Sequence, residues 1–259
     1  MLCGGFKMEI NAITFLIVCP MVFLAGFVDS IGGGGGLISL PAYFIAGIPM
    51  HNAIATNKLS SATGTTVSTL RYLKHAKIDW GITLPAIVLS FIGSSFGARI
   101  SLRLNENILK GILLVVLPIV AFFVLKKGTF INSGKQRSRK ATGIITMTAA
   151  LVIGCYDGLY GPGTGTFILI ALISIAGVDA MKAAGMTKVI NLTSNVSALS
   201  AFLLHGQVFI ILGLTASVFS IAGHYVGSGM VLKNGTKVIK PIVLIVLVVL
   251  IVKVILSFK

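Results

Sequence analysis

Acidic residues are scarce in this chain, six in 259 residues, and charged residues of both signs make up only 10%. A soluble domain carries roughly 25% charged residues, because its water-facing surface is built from them. The shortage excludes an ordinary soluble enzyme or binding domain. Cysteine is scarce too. Cys3, Cys19 and Cys155 are odd in number and scattered, so they offer neither a disulfide framework nor metal-ligand spacing. The chain also lacks the His-Glu-x-x-His and Gly-x-x-x-x-Gly-Lys-Ser/Thr motifs. Metalloprotease and ATP-driven pump readings lose their basis, an enzyme is not expected, and neither cofactor nor metal is expected.

What is abundant is apolar surface. Hydrophobic residues make up 56% of the chain, and the mean hydropathy is +1.01. Apolar runs near 10–28, 37–48, 53–74, 81–103 and 107–125 precede a basic loop, and others follow near 143–156, 166–177, 183–206, 208–231 and 238–257. A helix needs about 20 apolar residues to cross a bilayer, so the expected fold is all-α and polytopic. The net charge of +15 fits the crowding of Lys and Arg in cytoplasmic loops, with Lys126, Lys127, Lys135, Arg137, Arg139 and Lys140 as the densest group. Nucleic acid is not an expected partner, since no exposed basic surface with aromatics is apparent. The first apolar run resembles a signal peptide but has a counterpart later in the chain, so it reads as a span. Met8 is an alternative start.

The chain is internally duplicated. At an offset of 128, Gly26, Asp29, Gly33 and Gly35 match Gly154, Asp157, Gly161 and Gly163. At an offset of 130, Gly47, Ala53, Lys58, Thr63, His75, Gly93 and Gly97 match Gly177, Ala183, Lys188, Thr193, His205, Gly223 and Gly227. Internal repeats of this kind are common in secondary transporters. The organisation expected is a first transmembrane repeat at 1–125, a basic cytoplasmic loop at 126–142 and a second repeat at 143–259. Each repeat has five segments, giving about eight full spans plus two short broken or re-entrant helices. The balance of Lys and Arg favours inverted repeats.

The short segments, Leu37 to Ile48 and Thr166 to Gly177, follow glycine clusters at Gly32–Gly36 and at Gly161-Pro162-Gly163-Thr164-Gly165. Twelve helical residues reach only ~18 Å. Unwound backbone is tolerated at membrane depth only where it is buried in protein or lines a cavity. The pairs Gly93/Gly97 and Gly223/Gly227 have GxxxG spacing, which lets helices approach closely within one chain or, as the alternative, in a homodimer.

Lys58 and Lys188 sit at matched positions early in the next helices. An intramembrane Lys is either a functional group or an interfacial one that snorkels. The helices that carry them are rich in small polar residues. Ser60, Ser61, Thr63, Thr65, Thr66, Ser68 and Thr69 follow Lys58, and Asn191, Thr193, Ser194, Asn195, Ser197 and Ser200 follow Lys188. Helix N-termini carry positive dipole ends, so two glycine-led short helices beside two lysines suit a small oxyanion. The expected substrate-binding set is Gly33, Gly34, Gly35, Asn57, Lys58, Ser61, Gly161, Gly163, Thr164, Thr187, Lys188 and Asn191. Asp29 and Asp157 are the only matched acids. They either couple transport to protons or bond the backbone at the helix breaks. A transporter of a cation or other small metabolite using these two carboxylates is the alternative function. His75, His205, Asp79 and Trp80 read as membrane-interface residues.

At these residues the chain resembles the TauE/SafE family of sulfite-exporter-like membrane proteins. The resemblance rests on Gly26-Phe27-Val28-Asp29-Ser30-Ile31-Gly32 through Gly36, Leu37-Ile38, Pro41, Gly47-Ile48-Pro49 and Ala53-Ile54-Ala55-Thr56-Asn57-Lys58. A degenerate version recurs in the second half. It implies transport of small sulfur-containing anions such as sulfite, sulfoacetate or other organosulfonates, about eight spans, and a plasma (inner) membrane location. In the second half, Pro162 and Thr164 interrupt the glycines, and Gly185-Met186-Thr187-Lys188 replaces Ala55-Thr56-Asn57-Lys58. The two half-sites are therefore expected to be unequal.

Overall fold

The computed structural model describes residues 10–109, 111–112, 115, 137–235 and 241. Among them the regular elements are all helical. They are α1 (Ala12–Gly32), α2 (Gly36–Ile45), α3 (Met50–His75), α4 (Trp80–Ser101), α5 (Arg139–Leu159), α6 (Thr164–Ile170, continued by a π-helical turn at Ala171–Ile175), α7 (Ala180–Leu204) and α8 (Ile210–Asn234). The apolar segments near 107–125 and 238–257 lie almost wholly outside the described residues. Arg139 and Lys140, expected in the basic loop, form the first turn of α5.

Local chemistry sets the helix starts. The Asn11 side chain accepts from the Thr14 N–H at 3.0 Å, Ser138 caps α5 through the Ala141 N–H, and Asp179 caps α7 through the N–H groups of Met181 and Lys182. Such caps satisfy amide groups that lack partners within the helix. Pro49 fixes the chain just before α3.

Among the described residues four helices, α1, α4, α5 and α8, are long and apolar enough to cross a membrane. Two of the eight spans expected, near 107–125 and 238–257, lie almost wholly outside those residues. Helices α3 and α7 have 26 and 25 residues, which is ample length at 1.5 Å per residue, but they are too polar to qualify by composition. They lie against each other, with α4 along α7 and α8 along α3. A helix solvated by other helices has no need of an apolar surface all round. The outer helices supply that surface, with Leu16, Leu84, Val88, Phe96, Ile144, Val152, Ile211 and Val218 exposed.

Helices α1 and α2 form a hairpin. Val18 and Val22 of α1 share a cluster with Tyr43 and Ile48 at the far end of α2, so the chain leaves α2 on the side where α1 began. Helices α5 and α6 do the same, because Thr142 Oγ1 donates to the Ala176 carbonyl and Arg137 Nε to the Ile175 carbonyl. The hairpins enter from opposite sides. His51 Nε2 lies 3.0 Å from the Ser101 carbonyl and Asn52 Nδ2 donates to the Gln207 carbonyl at 2.8 Å, which ties one end of the bundle. Asp79, Arg139 and Lys182 tie the other. Accordingly α3 and α7 run antiparallel.

Both GxxxG pairs serve contacts inside the chain. Gly93 and Gly97 pack on the backbone of Leu151 and Cys155 in α5, and Gly223 and Gly227 on that of Phe23 and Phe27 in α1. These faces are occupied, so they are not free for a dimer.

Candidate substrate site

The two helix breaks meet inside the bundle. Gly33 has φ 79° and Gly163 has φ 83°, left-handed values that favour glycine. A Cβ built on Gly165 would stand 2.9 Å from the Gly33 Cα, and one on Gly36 3.2 Å from the Pro162 Cα. Backbone touches backbone at this crossing, which side chains would prevent. Thr166 Oγ1 fastens it by donating to the Gly32 carbonyl at 3.0 Å.

Beside the crossing lies a small polar cavity of about 20 Å³, lined by Asp29, Asn57, Lys58, Ser61, Asp157, Asn191, Asn195 and the backbone around Gly34, Gly36, Gly161 and Gly163–Gly165. Its size suits about one water. Ten of the fourteen residues named from sequence line it: Asp29, Gly34, Asn57, Lys58, Ser61, Asp157, Gly161, Gly163, Thr164 and Asn191. Four do not. Gly33 is at the crossing, Gly35 donates its N–H to Asp29 Oδ1 at 3.2 Å, and Thr187 is buried on α7 with its hydroxyl unpartnered. Lys188 is engaged by Asp29.

Both lysines are buried, 2% and 3% exposed, so neither snorkels. Each pairs with the aspartate of the other half of the chain. Lys58 Nζ lies 2.8 Å from Asp157 Oδ2 and donates to Asn195 Oδ1 at 3.1 Å. Lys188 Nζ lies 3.0 Å from Asp29 Oδ2 and also donates to the Asp29 carbonyl. An ammonium at this depth without a counter-charge would cost at least ~2.5 kcal/mol. Two lysines and two aspartates sum to zero. The ammonium groups are therefore neutralised in place, not offered as free positive charge.

Asp29 does more than Asp157. Besides Lys188 and the Gly35 N–H, it meets His224 Nε2 at 3.2 Å through Oδ2. A second cavity of about 10 Å³ runs from Asp29 to His224, lined also by Ser39, Ser60, Ser61 and Ser220. His224 lies between Gly223 and Gly227, whose spacing points to helix packing, and Asn195 is one of several polar residues on its helix. A histidine midway along an apolar span was the available signal. At the offset that pairs Gly93 with Gly223, His224 corresponds to Ser94. Among the described residues no cluster of three or more His, Cys, Asp or Glu could hold a metal ion.

A buried polar centre of crosswise ion pairs at the crossing of two broken helices, wrapped in exposed apolar surface, fits one class, an integral membrane transporter. The family model for the sulfite exporter TauE/SafE matches residues 18–254, and the chain belongs to that family. It is 37% identical to a probable membrane transporter protein, ORF9, of Sinorhizobium sp. over 91% of this chain and 89% of that one. It is 34% identical to the probable membrane transporter protein YfcA of Escherichia coli K12 over 87% and 84%. A probable membrane transporter protein of Haemophilus influenzae is 31% identical over 96% and 97%. No solved structure matches.

Proposed function

We propose that this protein is a secondary transporter in the plasma membrane that moves a small sulfur-containing oxyanion or organosulfonate, and that the polar cavity is its substrate site in a closed state. The observation that carries this reading is the crossing of the two glycine-led helix breaks beside Lys58 and Lys188. Helices α2 and α6 both start at the cavity and lead away from it, so their N-terminal N–H groups and positive dipole ends favour an anion there. Ser61, Thr164, Asn57, Asn191 and Asn195 add neutral hydrogen-bonding groups. About 20 Å³ is too little for sulfite, so the substrate enters when the two hairpins move apart.

The reading includes two inverted repeats. It is supported by the hairpins entering from opposite sides and by the crosswise Lys–Asp pairs. In this reading a hairpin adds no net crossing, and an odd number of full crossings in the rest of the first repeat inverts the second.

A cation transporter using Asp29 and Asp157 is disfavoured, because a lysine ammonium already occupies each carboxylate. The test is uptake of labelled sulfite and sulfoacetate into vesicles containing the purified protein. Lys58→Ala with Lys188→Ala should abolish it, with thermal unfolding as the folding control. Undiminished transport in a folded double variant would remove this site.

A further inference from the structure

The pairing of His224 with Asp29 is not needed to hold an anion, and its geometry requires a proton. His224 is 2% exposed. Its Nδ1 lies 2.9 Å from the Ser220 carbonyl, an oxygen that can only accept. Its Nε2 lies 3.2 Å from Asp29 Oδ2. A neutral imidazole has one N–H. With that hydrogen directed at Ser220, Nε2 would turn a lone pair on a carboxylate oxygen. One extra proton, on Nε2 or on Asp29, turns that repulsion into a hydrogen bond. Ser220 Oγ at 3.4 Å and Thr65 Oγ1 at 3.5 Å stand at the limit of hydrogen bonding and do not replace it.

The surroundings define the charge balance. Lys188 of α7 contacts Asp29 directly. Lys58 of α3 and Asp157 of α5 face Asp29 across the cavity. Tyr72 of α3 donates to the Ser30 carbonyl, and Arg71 of α3 stacks on the Tyr225 ring at 4.1 Å. Helices α1 and α2 add Cys19 and Tyr43, both buried and neutral near pH 7. Without an extra proton, Lys58, Asp157, Lys188 and Asp29 sum to zero and give an anion no net attraction. With it the cluster carries one positive charge, which attracts an anion.

We propose that Asp29 and His224 together bind a transported proton, so that the protein moves an anion and a proton together. This rests on the anion-transport reading. As the anion takes Lys188, Asp29 loses that ammonium, and the shared proton keeps its carboxylate balanced. When the anion leaves, the proton passes from Nε2 or Oδ2 to water on the side where the anion is released. Nothing is oxidised or reduced.

The test has two arms. In the first, ¹⁵N-histidine spectra of the whole protein in lipid nanodiscs are recorded between pH 6 and 8, with His224→Gln identifying the His224 signals. Both ring nitrogens protonated is the expected result. A ring protonated on Nδ1 alone supports the proposal if an infrared carboxylic-acid band appears and vanishes in Asp29→Asn, and overturns it if no such band exists. A neutral ring protonated on Nε2 alone overturns it. In the second arm, sulfoacetate uptake into proteoliposomes is driven by an inward proton gradient. For one proton per anion, accumulation rises up to about tenfold per pH unit, and His224→Gln loses this response. Sulfoacetate uptake that ignores the gradient, or a gradient response retained in His224→Gln, overturns the proposal. If the wild-type protein carries no sulfoacetate, the anion reading fails for that probe while the spectra still decide the proton site.

Discussion

The two Lys–Asp pairs occupy matched positions, yet they are not equivalent. Lys58–Asp157 is a closed unit in which the lysine has one carboxylate and one amide oxygen. Lys188–Asp29 is open on one side, where Asp29 also meets a backbone N–H and an imidazole. Among the differences is His224 where the first half has Ser94, which gives Asp29 an imidazole partner. Ser94 instead spends its hydroxyl on the Ser194 carbonyl at 2.6 Å, locking α4 to α7. The lesson is that positions matched in the sequence end in unlike surroundings, because side chains such as His224 reach one pair and not its counterpart.

This contrast can be broken most severely at the closed pair. Asp157→Ala strands a buried ammonium, a change that typically costs about 3–5 kcal/mol. Asp29→Ala should cost less, since Lys188 keeps the Asp29 backbone carbonyl. Thermal unfolding in one detergent measures both, and equal losses would mean that the pairs are alike after all. Asn195→Ala removes a hydrogen bond to the Lys58 ammonium and should cost about 1.5–3 kcal/mol. The companion change Ser61→Ala should stay well below that.

Gly33→Ala probes the crossing the two halves share. The added Cβ would collide with the backbone of Gly165 and Thr166, at a residue with φ 79°. Strain of about 1–3 kcal/mol is expected, together with slower transport of labelled substrate in vesicles. Transport unchanged from wild type would show that the crossing need not be so tight.

The smallest effect lies far from the centre, at Asp79. Slight burial tends to raise its pKa, but its hydrogen bond with Arg139 and the charges of Arg139 and Lys182 outweigh this and hold it below the ordinary value. A lowered carboxyl pKa stabilises the fold above the unfolded value of about 4, and the contribution is lost as pH falls through the folded value. An exposed pair of this kind is worth at most ~1 kcal/mol. The melting temperatures of wild type and Asp79→Asn should therefore differ slightly at pH 7 in low salt and converge near pH 3. A difference that persists at pH 3 would assign another role to Asp79.

Much of the site was legible in the chain because polar residues inside apolar segments are costly, so their presence stands out. Asp29, Asn57, Lys58, Asp157 and Asn191 all break apolar or small-residue stretches, and all line the cavity. His224 was obscured by the GxxxG spacing around it, which drew attention to packing. The hairpin path of the chain was hidden for a different reason. Hydropathy reports which segments are apolar, and α1 is both apolar and long, but nothing in its composition says that α2 folds back along it.

The sequence by itself determined that this is a helical membrane protein, where its helices break, and which few polar groups enter the bilayer, since each of these follows from local composition and spacing. Only the tertiary structure decided who faces whom. That Lys58 answers Asp157 and Lys188 answers Asp29, across the two halves, depends on two hairpins meeting from opposite sides. Residues about a hundred or more positions apart are brought within hydrogen-bonding distance by helix packing, and a single chain read in order carries no direct record of that.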